Sequence, residues 1–140
     1  MYCLCDPCGY FYAFKVHCGS YTTPIVHGFA TDIVLSLAED AGICNTMRCV
    51  YTDRFYTSPM LFGILAQRGL LAVGTAQANR RQYPHAEVKL ARNASRGAVS
   101  AVHCILPSCN YPMYAVSWMD KRPVSFLGTA CGLAEAAVER

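Results

Sequence analysis

The chain opens with two short runs in which aromatic and aliphatic residues dominate, at positions 1–5 and 10–17. The turn-forming residues 6–9 (Asp-Pro-Cys-Gly) separate them. Two such runs divided by a tight turn are typical of a β-hairpin. The pattern therefore predicts a hairpin whose first strand ends at Asp6.

Two amphipathic helical patterns follow. Thr31 is predicted to cap the first helix, and Gly42 is predicted to terminate it. The second helix is expected to begin after Ser58, with Pro59 at its first position, where a missing amide hydrogen costs nothing. Gly69 then closes this helix.

Strand-like runs lie on both sides of the second helix, at 47–52 and 70–75. Further strands are predicted at 98–106, 113–119 and 124–127, and the last two are joined by a turn. Strands that alternate with helices and are followed by a run of strands predict a mixed α/β sheet.

The chain divides by character into three sections. Residues 1–76 carry the alternating strands and helices, and residues 77–132 form a β-rich region. This second section begins with a polar, basic stretch of poor periodicity (77–97), which predicts an exposed loop or an inserted element. Residues 133–140 are expected to start a helix or to form a tail.

The composition supports a globular domain. Of the 140 residues, 54% are hydrophobic and 15% are charged, which excludes a disordered chain. Glycines, turns and charges interrupt each apolar run before the length of about 18 residues that a membrane span needs. We therefore expect one domain and no membrane partner.

The formal net charge is only +3, yet the cations gather in the second half of the chain. A local basic stripe can bind a phosphate backbone even when the net charge is small. An ordinary solvated face is an equally good interpretation of charge alone. The candidate DNA-binding residues are Arg80, Arg81, Lys89, Arg92 and Arg96, with Lys121 and Arg122 further along.

The nine cysteines indicate a reducing compartment, since no secretory signal peptide is visible at the start. Cys5 and Cys8 have the spacing of a zinc-binding pair, and Cys3 lies beside them. A second pair with suitable spacing is lacking. A small zinc-binding module is therefore one hypothesis, and buried or inert thiols are the alternative.

Asp53 ends the strand at 47–52 and is followed at once by a turn and a helix. A carboxylate delivered by a rigid strand to the edge of a sheet suits metal-dependent chemistry, because its backbone cannot drift. The plainer alternative is that Asp53 caps the turn that follows it.

Several phrases together resemble the transposase domain of the piggyBac family, within the DDE superfamily. They are Cys-Asp-Pro-Cys-Gly-Tyr at 5–10, Tyr-Thr-Asp-Arg-Phe-Tyr-Thr-Ser at 51–58, Leu-Ala-Gln-Arg-Gly at 65–69, Val-Gly-Thr at 73–75 and Asn-Arg-Arg at 79–81. Their order and spacing match over roughly residues 1–130.

The resemblance implies a ribonuclease H-like mixed sheet with flanking helices, interrupted by a β-rich insertion and truncated at its C-terminus. It also implies that Asp6 and Asp53 correspond to the first two of three aspartates that hold two Mg²⁺ (or Mn²⁺) ions for DNA strand cleavage and transfer. These acids lie far apart in sequence, so we expect adjacent strands to bring them together. No residue matches the third aspartate, and Arg54 replaces the usual asparagine.

Two functions stay open on these grounds. The first is a transposase catalytic domain fragment that lacks the full acidic triad and is inactive alone. The second is a non-catalytic remnant of a transposable element that binds DNA or protein. The family resemblance implies DNA as partner and a nuclear location, with the cytoplasm as the alternative, and a homodimer is a further candidate assembly.

Overall fold

A computed structural model describes residues 1–17, 19, 24–77, 79–106 and 110–130. The helix or tail expected at 133–140 lies outside the described residues, as does Cys109. The elements, in chain order, are β1 (Tyr2–Cys5), β2 (Phe11–Lys15), α1 (Phe29–Asp40), β3 (Cys49–Thr52), α2 (Pro59–Gln67), β4 (Leu71–Ala76), β5 (Val99–Leu106), β6 (Tyr111–Met119) and β7 (Pro123–Gly128).

The predicted hairpin is present. β1 and β2 pair antiparallel, from Tyr2 opposite Lys15 to Cys5 opposite Phe11, with an irregularity at the Cys5 end. Gly9 takes a positive φ of 87° in the connecting turn, a conformation that glycine adopts without strain. Asp6 follows directly after β1, as the sequence predicted.

The larger sheet has five strands in the order β3-β4-β7-β6-β5. β3 and β4 run parallel with α2 as their crossover, and the remaining neighbours pair antiparallel. This confirms the predicted mixed α/β sheet. β4 pairs with β7, so strands from both sections of the sequence share one sheet, and the proposed boundary after residue 76 stays a prediction.

The first helix begins earlier than predicted. Gly28 is its N-cap residue, and the carbonyl oxygen of Gly28 accepts hydrogen bonds from the amides of Thr31 and Asp32. Thr31 is buried inside the first turn, so the prediction that it caps the helix was wrong. Thr31 is only 5% exposed, and it is the Asp32 carboxylate that accepts hydrogen bonds from the amides of Val26 and His27 just before the helix.

The second helix agrees with the prediction. The Ser58 hydroxyl accepts a hydrogen bond from the Leu61 amide at 3.1 Å, and Pro59 occupies the first turn. Gly69 ends the helix with a φ of 65°. Helix α2 packs on β4, and three of its apolar side chains are fully buried. These side chains are Leu61, Phe62 and Leu65.

The stretch between β4 and β5 contains no helix or strand in the part that the structure describes, as the sequence predicted. Two of its side chains are nevertheless core residues. Tyr83 is 5% exposed and Val88 is 2% exposed. The Tyr83 hydroxyl lies 2.8 Å from the Val116 carbonyl oxygen and 3.2 Å from that of Phe126, so it links the stretch to both β6 and β7.

Candidate functional site

Asp53 stands at a tightly hydrogen-bonded corner between β3 and α2. Its carbonyl oxygen accepts hydrogen bonds from the amides of Tyr56 and Thr57 and from the Thr57 hydroxyl, the last at 2.8 Å. One carboxylate oxygen, Oδ1, accepts the amide of Phe55 at 2.7 Å. Asp53 therefore caps the turn, as the plainer alternative predicted, while its side chain stays exposed to solvent.

A hydrogen bond between two threonine hydroxyl groups stabilises this corner. The Oγ1 atoms of Thr52 and Thr57 lie 2.7 Å apart, and Thr57 is fully buried. Gly74 lies opposite Thr52 in the parallel ladder, and a Cβ atom there would collide with both hydroxyl oxygens and with the Thr52 carbonyl oxygen. Sequence reasoning missed this role of Gly74, although a glycine inside a strand is a known sign of close backbone approach.

Arg80 fixes the outer side of the same corner. Its Nη2 donates hydrogen bonds to the carbonyl oxygens of Arg54 at 2.7 Å and Phe55 at 2.8 Å. A charged donor that holds two consecutive carbonyls restricts the loop directly after Asp53. Arg80 was predicted to bind DNA, and the structure gives it a positioning contact that the sequence did not indicate.

Asp6 has a similar local role in the hairpin turn. Its Oδ1 accepts the amides of Cys8 and Tyr10, both at 2.9 Å, and its carbonyl oxygen accepts the amide of Gly9. Asp6 is half-buried. Both candidate acids therefore order a turn through one carboxylate oxygen.

Asp6 and Asp53 line two neighbouring clefts along the gap between β1 and β3, and Leu4, Val50 and Tyr51 line both clefts. The Asp53 cleft, of about 180 Å³, contains Tyr2 and Cys3 from the start of β1. The Asp6 cleft, of about 560 Å³, contains Arg48 and Cys49 from the start of β3. The Asp6 cleft is thus lined by Cys49, Val50 and Tyr51 of β3, and Asp53 follows the last residue of the same strand.

The expected geometry is corrected by this arrangement. β1 belongs to the two-stranded sheet and β3 to the five-stranded sheet, so the two acids do not extend from neighbouring strands of one ladder. In two-metal sites the ions lie about 4 Å apart, which requires carboxylates at one point.

Two carboxylates that follow strands of different sheets do not by themselves supply the ligands of a two-metal site. Within residues 1–17, 19, 24–77, 79–106 and 110–130, no group of three His, Cys, Asp or Glu side chains is placed to hold an ion. The zinc hypothesis lacks geometric support as well, because the exposed Cys3, Cys5 and Cys8 form no such group.

The Cys49 thiol lines the Asp6 cleft. Burial raises the pKa of this thiol, and a hydrogen bond with Tyr51 opposes the rise in part, so the thiol stays protonated at neutral pH.

The predicted basic residues are distributed over different surroundings. Arg81 is exposed, and Arg96 forms an ion pair with Asp120 at 2.7 Å. A groove of about 590 Å³ lies between the 85–94 stretch and the turn from β6 to β7. We call it the basic groove, and its four exposed cations are Lys89, Arg92, Lys121 and Arg122.

No helix in the described part of the chain has both the length and the apolar character that a membrane span requires.

Comparison with known proteins gives a family match and a structural match. The model of the family described as Transposase IS4 matches residues 1–140. Among solved structures, the chain is similar to a piggyBac transposase in a synaptic complex with hairpin DNA, with a TM-score of 0.68 and 23% sequence identity. The match covers 93% of this chain and 26% of that chain, and it agrees with the predicted ribonuclease H-like fold class.

Proposed function

Because the chain belongs to the Transposase IS4 family, we propose that it is a piggyBac-like transposase domain that binds DNA and, by itself, does not cleave it. The observations that support the second half are that β1 and β3, the strands that precede Asp6 and Asp53, belong to different sheets, and that no group of three His, Cys, Asp or Glu side chains is gathered in the described part of the chain. A two-metal site needs its carboxylates at one point.

Asp6 and Asp53 are the acids that we propose as metal ligands in any assembly that brings them together. Mg²⁺ or Mn²⁺ suits them because hard cations prefer carboxylate oxygens. The exposed Asp53 side chain, on a corner fixed by Thr57 and Arg80, is the better prepared of the two. The hairpin that carries Asp6 would have to shift relative to β3.

DNA association is proposed to use the predicted cations Arg80, Arg81, Lys89, Arg92 and Arg96. Support comes from their exposure, apart from Arg80, and from the DNA complex in which the similar structure was solved. A DNA partner in turn favours a nuclear location. A homodimer is proposed only as a means of completing the acidic site.

The test measures binding and cleavage on the same substrate. The purified chain is mixed with a supercoiled plasmid and with a labelled duplex, in Mg²⁺ or in Mn²⁺. We expect salt-sensitive binding without nicking or strand transfer. A lack of binding at 50 mM salt would contradict the DNA half of the proposal.

Cleavage is informative through its dependence on the two acids. Nicking that Asp53→Asn and Asp6→Asn both abolish would show that the acids do assemble, and the non-cleaving half of the proposal would be wrong. Nicking that survives both variants would indicate a contaminating nuclease. Glu87→Gln serves as the matched acid control, because this exposed residue lies outside both clefts.

A further inference from the structure

The basic groove is built on a wall that the core holds in place. Val88 is 2% exposed, and Tyr83 is 5% exposed with its hydroxyl on the carbonyl oxygens of β6 and β7. Burial raises the pKa of Tyr83, so the phenol stays neutral and keeps its proton for these hydrogen bonds. The wall that carries Lys89 and Arg92 is therefore fixed before any ligand arrives.

The other wall is the turn between β6 and β7, which carries Lys121 and Arg122. This turn is short and joins two strands paired from Tyr114–Gly128 to Met119–Pro123. Its cations are consequently held at one end of a rigid two-stranded ribbon. The groove thus has two cations on each side.

The charge in the groove is almost entirely positive. Its single acidic lining residue, Asp120, is paired with Arg96 at 2.7 Å. Among the residues that the structure describes, no ion pair is recorded for the four groove cations. Four cations without counter-ions on facing walls attract a ligand that carries several negative charges.

A buried polar atom in the groove also lacks a partner among the described residues. The Nε2 atom of His85 is buried, and no described residue makes a hydrogen bond to it. The His85 ring packs on Tyr83 with the ring centroids 4.6 Å apart. Buried polar atoms are nearly always paired in native proteins, so this atom calls for a hydrogen-bond partner from outside the described residues, such as water or a ligand.

We infer that the basic groove binds the phosphate backbone of duplex DNA, with Lys89 and Arg92 on one side of the strand and Lys121 and Arg122 on the other. This inference rests on the proposed function, since it names the surface by which the chain would hold DNA. The main contact with DNA is thereby assigned to these four cations. Arg80 is a weaker candidate because its Nη2 already donates to two backbone carbonyls, and Arg96 is a weaker candidate because it forms an ion pair with Asp120. Contacts of this kind fix position and carry no base specificity.

The experiment measures the affinity for a labelled duplex by fluorescence anisotropy at several salt concentrations. The double variant Lys121→Gln/Arg122→Gln is compared with Lys15→Gln/Arg68→Gln, which removes one lysine and one arginine outside the groove and outside the clefts of Asp6 and Asp53. Loss of two phosphate contacts should reduce the slope of log K against log salt by about 1.8, and loss of all four cations by about 3.6. The control should leave the slope within experimental error of the unmodified chain.

Equal slopes for the groove variant and the control, with the unmodified chain still bound to DNA, would overturn the groove and leave the proposed function intact. An unmodified chain that does not bind DNA would overturn both. Equal affinity for double-stranded RNA, with the same loss in the variants, would show that the assignment to DNA is wrong. Thermal unfolding of each variant tests whether the substitutions leave the fold intact.

Discussion

Gly74 lies directly opposite Thr52 in the parallel ladder of β3 and β4, at the last residue of β3 before Asp53. The space that a side chain would fill at Gly74 is occupied by the hydroxyl groups of Thr52 and Thr57. There is thus no room for a side chain on β4 at the point where β3 ends and Asp53 follows. The glycine and the two threonines form one packing unit.

The substitution Gly74→Ala should destabilise the chain by about 1 to 3 kcal/mol, the usual cost of overpacking a core site. The added Cβ must displace the carbonyl oxygen of Thr52, which is backbone and cannot rotate away. Chemical denaturation measures the change. Gly63→Ala is the matched control, because a Cβ at this helical position meets nothing within 4 Å and should stabilise α2 by about 0.5 to 1 kcal/mol. Similar stabilities for the two variants would contradict the packing argument.

Arg80→Gln should loosen the loop after Asp53, because the two carbonyl oxygens at Arg54 and Phe55 lose a charged donor. Such hydrogen bonds contribute about 1.5 to 3 kcal/mol each when they are shielded, and less at this exposed site. Hydrogen exchange of the amides at residues 54–57 reports the change. Arg81→Gln removes the same charge from the neighbouring residue and should leave this exchange unaltered. A faster exchange in both variants would mean that charge, and not position, matters.

Ser58→Ala should cost about 1 kcal/mol of unfolding free energy, since the Leu61 amide loses its hydrogen-bond acceptor at the start of α2. Ser58→Asp keeps an acceptor at this position and should retain most of the stability. Urea titration of the two variants gives the comparison. Equal losses in both would show that the cap does not support the corner.

Local sequence signals predicted most of the fold. Ser58, Pro59 and Gly69 set the limits of α2 through capping and backbone preferences that operate within a few residues. Strand positions followed equally from local alternation. The first helix was the exception: Thr31 is buried within its first turn and Gly28 is the N-cap residue, although threonine often occupies N-cap positions.

The candidate site was less accessible to such reasoning. Asp53 was found because a strand, an acid and a helix cap follow each other in sequence. Its supports, Gly74 and Arg80, act on residues that lie 17 or more positions away in the sequence, and they have no local signature. The relation between Asp6 and Asp53 depends on how the hairpin lies against β3, which a sequence pattern does not encode.

Stability should depend on pH through Asp32 at the start of α1. Burial acts to raise the pKa of this carboxyl, but hydrogen bonds from the His27 side chain and from the amides of Val26 and His27 outweigh it, and the pKa lies below the ordinary value of 3.8. Because the pKa of Asp32 is lower in the folded state, its contribution to the free energy of unfolding is complete above the pKa that it has in the unfolded chain. This contribution is lost as the pH falls through the pKa that it has in the folded chain. The free energy of unfolding should therefore fall between about pH 5 and pH 2 more steeply in the unmodified chain than in Asp32→Asn. Asp40→Asn is the control, since this exposed residue at the helix end has only a surface ion pair with Lys15. Parallel pH profiles for the unmodified chain and Asp32→Asn would show that Asp32 does not fix the start of the helix.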